Sequence, residues 1–161
     1  MVLQLEKQWI WDSWYTRAGD TWHAFFLKAD KALGNPELRH FNVTQGHAVS
    51  TDLKNWDYRG TILEPSAAPA FDDTAVWTGS VIRGPDGRWH LFYTGAGSAE
   101  RGLYQRIGHA TSDDLDTWTR VGTGLCLDYS GPHAGRYQAP PLPGPSPHPA
   151  LPAPSVRRPP D

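Results

Sequence analysis

The stretch QGHAVSTDLKNWDYRG, residues 45–60, returns as IGHATSDDLDTWTRVG at residues 107–122, and this repetition decides how the rest of the chain is read. Working outward, TWHAFFLKAD at 21–30 is echoed by RWHLFYTGAG at 88–97. The first pair is offset by 62 residues and the second by 67, the difference being loop length. A repeat this long, built from short aromatic and β-branched runs, predicts propeller-type blades of four strands each. In the first copy the strands are expected at Gln8–Thr16, Trp22–Lys28, Phe41–Ser50 and Trp56–Leu63. In the second they are expected at Val76–Arg83, Trp89–Thr94, Tyr104–Thr111 and Trp118–Leu125. Turn-forming clusters fall between them: RAGD, GNPE, GPDG, and the paired STDLKN and SDDLDT. No segment shows a 3.6-residue apolar period, so the fold class is all-β.

The repeat also sorts residues by role. His47 and His109, Ser50 and Ser112, Asp52 and Asp114, and Trp56 and Trp118 occupy matching positions. Side chains present in both copies serve the blade: the Ser and Asp close a turn through backbone hydrogen bonds, and the Trp covers the sheet. Matching WDSWY with WTGSV sets Asp12 against Thr78, so the acid is unique to the first copy. Both stretches open the first strand of a blade, which in a propeller lines the central channel. A carboxylate among three tryptophans and a tyrosine there is poorly suited to a core but well suited to a binding cleft.

Composition bounds the partners. The chain has 161 residues, a formal net charge of −2 and no Lys/Arg run, so neither nucleic acid nor an anionic membrane surface is expected. No stretch of 18 apolar residues exists to cross a membrane, and MVLQLEKQWI lacks the basic and apolar regions of a signal peptide, which predicts a cytoplasmic protein. Cys126 is the single cysteine, and the seven histidines show no ligand spacing, so neither a metal nor another cofactor is expected. All eight tryptophans lie between Trp9 and Trp118. Of the 15 prolines, all but Pro36, Pro65, Pro69 and Pro85 lie between Pro132 and Pro160. The expected organisation is therefore a domain at 1–131, with blades at about 8–65 and 74–128, and a Pro-rich disordered tail at 132–161.

GHAVSTDLKNWDYRGTILEP, followed by VWTGSVIRGPDGRWHLFYTG, resembles the first two blades of the five-bladed β-propeller glycoside hydrolases of families 32 and 43. The resemblance covers about Trp9 to Leu127. It implies hydrolysis of furanosides or related glycosides, of the β-fructosidase or arabinosidase/xylosidase type. It also implies that Asp12, on the first strand of the first blade, is the nucleophile or the general base. WTGS resembles a stretch that touches the sugar in those enzymes, which makes Trp77 and Thr78 sugar contacts, with Trp11 beside Asp12 as a further substrate-binding residue. Family 32 usually reads N-D-P-N-G around that acid; here it reads WDSW.

Glycoside cleavage needs a second carboxyl group to protonate the leaving oxygen. In the resembled families the second and third acids come from later blades, and no matching stretch follows Leu127. Asp72, Asp73 and Glu100 lie in loops and are expected to be merely solvated. The expectation is a truncated glycosidase-like chain, inactive alone, with a carbohydrate as its partner. The alternative is a non-catalytic carbohydrate-binding fragment or a scaffold module. Two blades also leave sheet faces unpaired, through which copies could self-associate.

Overall fold

The computed structural model describes residues 3–102 and 104–128. The Pro-rich stretch expected at 132–161 lies outside the described residues. Two antiparallel meanders follow one another. The first holds β1 (Gln8–Ala18), β2 (Thr21–Asp30), β3 (Thr44–Ser50) and β4 (Asp57–Leu63). The second holds β5 (Ala75–Arg83), β6 (Trp89–Ala96), β7 (Gln105–Ser112) and β8 (Thr119–Leu127). Within each sheet the strands pair in sequence order. The expected all-β architecture of two four-stranded blades is what forms. Among the described residues no helix is long and apolar enough to cross a membrane.

The expected third strand begins too early. Phe41 ends a 3₁₀ segment, Pro36–Phe41, and pairing starts only at Thr44. Proline at its first position and Asn35, whose Oδ1 accepts from Glu37 N at 3.0 Å, start this turn of helix locally. At its other end Asn42 Nδ2 donates to the Leu38 carbonyl at 2.8 Å.

The repeated motifs are physical devices. Ser50 Oγ accepts from the backbone N–H of Asp52 and Leu53, and Asp52 Oδ1 accepts from those of Lys54 and Asn55. Ser112 and Asp114 repeat the arrangement over residues 114–117. These bonds to the ionised form hold the Asp52 carboxyl well below the usual range. The glycine of each GHA faces an aromatic ring on the neighbouring strand. Gly46 pairs with Phe26, and Gly108 pairs with Tyr93. A Cβ at either glycine would run into that ring.

The histidines that the repeat shares are structural. His23 Nδ1 and His47 Nε2 are 2.9 Å apart, and the His47 ring stacks on Phe25 at 4.7 Å. His90, His109 and Phe92 reproduce the arrangement, with the same two distances. A shared core joins the sheets. Trp14, Phe25, Leu27 and Leu63 of the first meet Val76, Val81, Leu91 and Tyr93 of the second. Trp118 meets Phe25 edge-on at 6.0 Å, so this tryptophan covers the other blade as well as its own.

The junction also carries a polar seam. His47 Nδ1 lies 3.0 Å from Asp116 Oδ1, and Arg59 reaches the same carboxylate. Loss of solvation, followed by the neighbouring His23, lowers the His47 pKa to about 4. Contrary to expectation, Asp72 is not a solvated loop acid but fully buried. Its Oδ2 accepts from the Tyr93 hydroxyl at 2.8 Å and from Arg120 Nε at 3.0 Å. Burial, then the bond to Asp72, raises the Tyr93 pKa. Asp73 is likewise engaged, accepting from Ala70 N and Ser98 N, and Glu100 makes a two-pronged ion pair with Arg106.

Candidate active-site cleft

The first strands of the two sheets lie side by side, and a cleft of about 670 Å³ opens at their junction. Trp11, Asp12, Trp77 and Thr78 all line it. The four residues singled out from the sequence are thus brought to one place.

A local irregularity aims them. In β1 the pairing with β2 slips between Trp11 and Ser13, which leaves Asp12 as an extra, unpaired residue with φ of +38°. A bulge of this kind bends the strand and turns one side chain out of the ladder. Aspartate is among the few residues that tolerate a left-handed backbone, because its short side chain finds local partners. In β5 the ladder skips from Val76 to Gly79, leaving Trp77 and Thr78 unpaired at the matching place. The repeat therefore extends to the irregularity itself. Asp12 is exposed, and its Oδ2 accepts from the Thr78 hydroxyl at 3.1 Å.

The two tryptophans are fixed from behind. Trp77 Nε1 donates to the His40 carbonyl at 2.8 Å, and the Trp77 carbonyl accepts from Gln45 Nε2 at 2.6 Å. Trp11 meets the His40 ring edge-on at 6.1 Å, with the Arg39 guanidinium 5.5 Å from its ring centre. Apart from Gln45, which lies on β3, these partners belong to the Pro36–Phe41 segment, so that segment forms one wall of the cleft.

Arg39 and His40 line the cleft, and sequence reading missed them by treating GNPE as no more than a turn. A signal was present. The β2–β3 link runs over residues 31–43 in the first copy and its counterpart over residues 97–104 in the second. The difference between the repeat's two offsets falls here, so this wall is the part of the first blade that the second does not copy.

Among the described residues lining the cleft, Asp12 is the only carboxylate. Asp72, Asp73 and Glu100 do not reach it. Among the described residues no three His, Cys, Asp or Glu side chains gather as a metal site would require. The cleft therefore presents one accessible carboxylate held by a hydroxyl, two fixed aromatic faces, and a cationic wall. Such a surface can stack on the apolar face of a ring-shaped polar ligand and set one anionic oxygen against it.

Comparison with known proteins gives this surface a context. Residues 4–124 match the model described as the glycosyl hydrolases family 32 N-terminal domain, one of the two families named from the sequence. A beta-fructofuranosidase 1 from Zea mays is 38% identical over 82 residues, covering 49% of this chain and 12% of the relative. A fructan 6-exohydrolase from Triticum aestivum is 43% identical over 60 residues, covering 37% of this chain and 10% of the relative. The crystal structure of fructan 1-exohydrolase IIa from Cichorium intybus superposes with a TM-score of 0.61 at 23% identity, over 78% of this chain and 23% of that one. This chain thus spans about a tenth of the two relatives and under a quarter of the solved structure.

Proposed function

This chain belongs to glycosyl hydrolase family 32, and on that footing we propose that its cleft is the sugar-holding part of a fructoside-hydrolysing site. The observation that carries the reading is the convergence of Asp12, its partner Thr78, Trp11 and Trp77 on one cleft. In this reading Asp12 is the carboxylate that attacks the anomeric carbon or draws a proton from water. Thr78 is a positioning residue, because its hydroxyl fixes one carboxylate oxygen and so orients the other. Trp11 and Trp77 supply apolar faces for the sugar ring.

Hydrolysis needs a second carboxyl group at roughly 5–9 Å from the first across the scissile bond. No residue lining the described cleft supplies it. The chain is accordingly expected to hold a fructoside without turning it over. That single-carboxylate lining favours a second reading, in which the surface only binds carbohydrate.

Titration of tryptophan emission with sucrose and with a short fructan tests the proposal. Saturable change is expected in the native chain and in Asp12→Asn, and its loss is expected in Trp77→Ala. Absence of any change with either sugar would overturn the assignment. A parallel assay of released fructose separates the two readings: turnover abolished by Asp12→Asn supports catalysis, whereas binding without turnover supports a binding surface.

A further inference from the structure

Each sheet has two faces, and among the described residues only one of each is brought together. From the first sheet the meeting face presents Trp14, Phe25 and His47, which are cross-strand neighbours. From the second it presents Val81 and Leu91, with Leu115 from the following turn.

The repeat carries both surfaces again, facing away from the junction. Phe92 and His109 match Phe25 and His47, and they make the same parallel stack at 4.7 Å, but they are only half-buried. Tyr15 and Leu53 match Val81 and Leu115, and they border a groove of about 540 Å³ on the outer side of the first sheet.

The two turn leucines make the contrast sharpest. Leu115, with φ of +69°, is 1% exposed in the shared core. Leu53, with φ of +60° in the same turn, is 50% exposed. A left-handed backbone is unfavourable for leucine and persists where its surroundings over-determine it. In the second copy the surroundings are a neighbouring sheet. In the first, no neighbouring sheet among the described residues covers the same knob.

We propose that copies of this chain associate head to tail, the Leu53 face of one seating on the Phe92–His109 face of the next. The contact would repeat, between molecules, the sheet-to-sheet packing already made within one. It is a heterologous interface, so it does not pair a surface with itself. The repeat also marks where this contact is weaker than the internal one. Asp116, which bonds His47 across the junction, is matched by Lys54, so the intermolecular seam lacks the carboxylate.

Sedimentation velocity on the full chain over a wide range of concentrations tests the proposal. Concentration-dependent association is expected. Leu53→Asp and Ile82→Asp should each weaken it by about tenfold or more, since a charge buried without a partner costs well over 1.4 kcal/mol. Ile82 is the cross-strand neighbour of His90 on the outward face of the second sheet, and it is 54% exposed. Both changes fall on exposed side chains, so circular dichroism should show native folding. An equimolar mixture of the two variants should form a capped dimer, because each retains the face that the other has lost. Lys54→Asp should tighten association about tenfold by supplying the missing bond to His109. A monomer at every concentration, association indifferent to Leu53→Asp, a mixture that stays monomeric, or a Lys54→Asp chain no tighter than the native one would each overturn the proposal.

Discussion

The Thr78 hydroxyl donates to Asp12 Oδ2 at 3.1 Å, so two residues that occupy the same position in successive copies of a repeat touch across the junction of their sheets. Both lie where a strand leaves its ladder, and only one is acidic. A duplicated irregularity has thus been given an acid in one copy and the hydroxyl that holds it in the other.

Asp12 occupies a left-handed position that a β-branched residue resists. Asp12→Val is expected to lower stability by about 1–2 kcal/mol, while Asp12→Asn stays within about 0.5 kcal/mol of the native chain. Urea unfolding followed by tryptophan emission measures both. Equal effects from the two substitutions would show that the backbone at residue 12 relaxes freely.

Stability should depend on pH through the buried histidines. His47 has a folded pKa of about 4, set by burial and then by His23, against about 6.5 in an unfolded chain. Above the unfolded value both states are neutral and the group contributes nothing. As pH falls from about 6.5 to about 4 the unfolded state takes up a proton that the folded state refuses, so stability declines by up to about 3 kcal/mol and then levels. His23 and His109 are shifted the same way by burial and add to the slope. Thermal melts between pH 4 and pH 7 should show the fall, and His47→Gln should flatten it.

Asp72 and Arg120 form an ion pair at 2.9 Å, with the carboxylate fully buried. Breaking such a pair from one side leaves a buried group without its partner, and Asp72→Asn is expected to cost about 3 kcal/mol. Tyr93→Phe, which removes one of the two donors to Asp72 Oδ2, should cost about 1–2 kcal/mol. Chemical denaturation of the two single variants and the double variant gives the coupling, which should be well above zero because the groups share one oxygen.

Gly46 and Gly108 lie under the rings of Phe26 and Tyr93. Replacing either by alanine forces ring and backbone apart, with an expected cost of about 2–3 kcal/mol. Combining Gly46→Ala with Phe26→Leu should recover part of the loss. Failure of any recovery would mean that something other than the ring limits the space.

Much of the fold was readable without coordinates because the devices that build it are local. The serine and aspartate of each STDL-type turn bond amides within three residues, and GHA opposes its aromatic ring on the neighbouring strand. The third strand was misjudged at its start because Phe41 looks like a strand residue, and only the caps at Asn35 and Asn42 reveal a short 3₁₀ helix. In the cleft, Asp12 was legible by asking which residue a repeat had changed, while Trp11, Trp77 and Thr78 were named from the resemblance of the surrounding stretches to a known family. Arg39 and His40 were not, since their role rests on His40 meeting Trp77, a partner 37 positions away.

The sequence by itself determined the duplicated four-strand unit, its turns and the acid unique to the first copy. Pairing between adjacent strands depends on alternation and turn chemistry, which a short window of residues contains. The tertiary structure alone decided which face of each sheet is buried, that Asp72 pairs with Arg120 inside the protein, and that a 3₁₀ turn walls the cleft. These follow from contacts between distant segments, whose energy appears only once two sheets pack and exclude water. The same packing leaves Leu53 exposed while burying its twin, Leu115, although the two share a turn and a left-handed backbone.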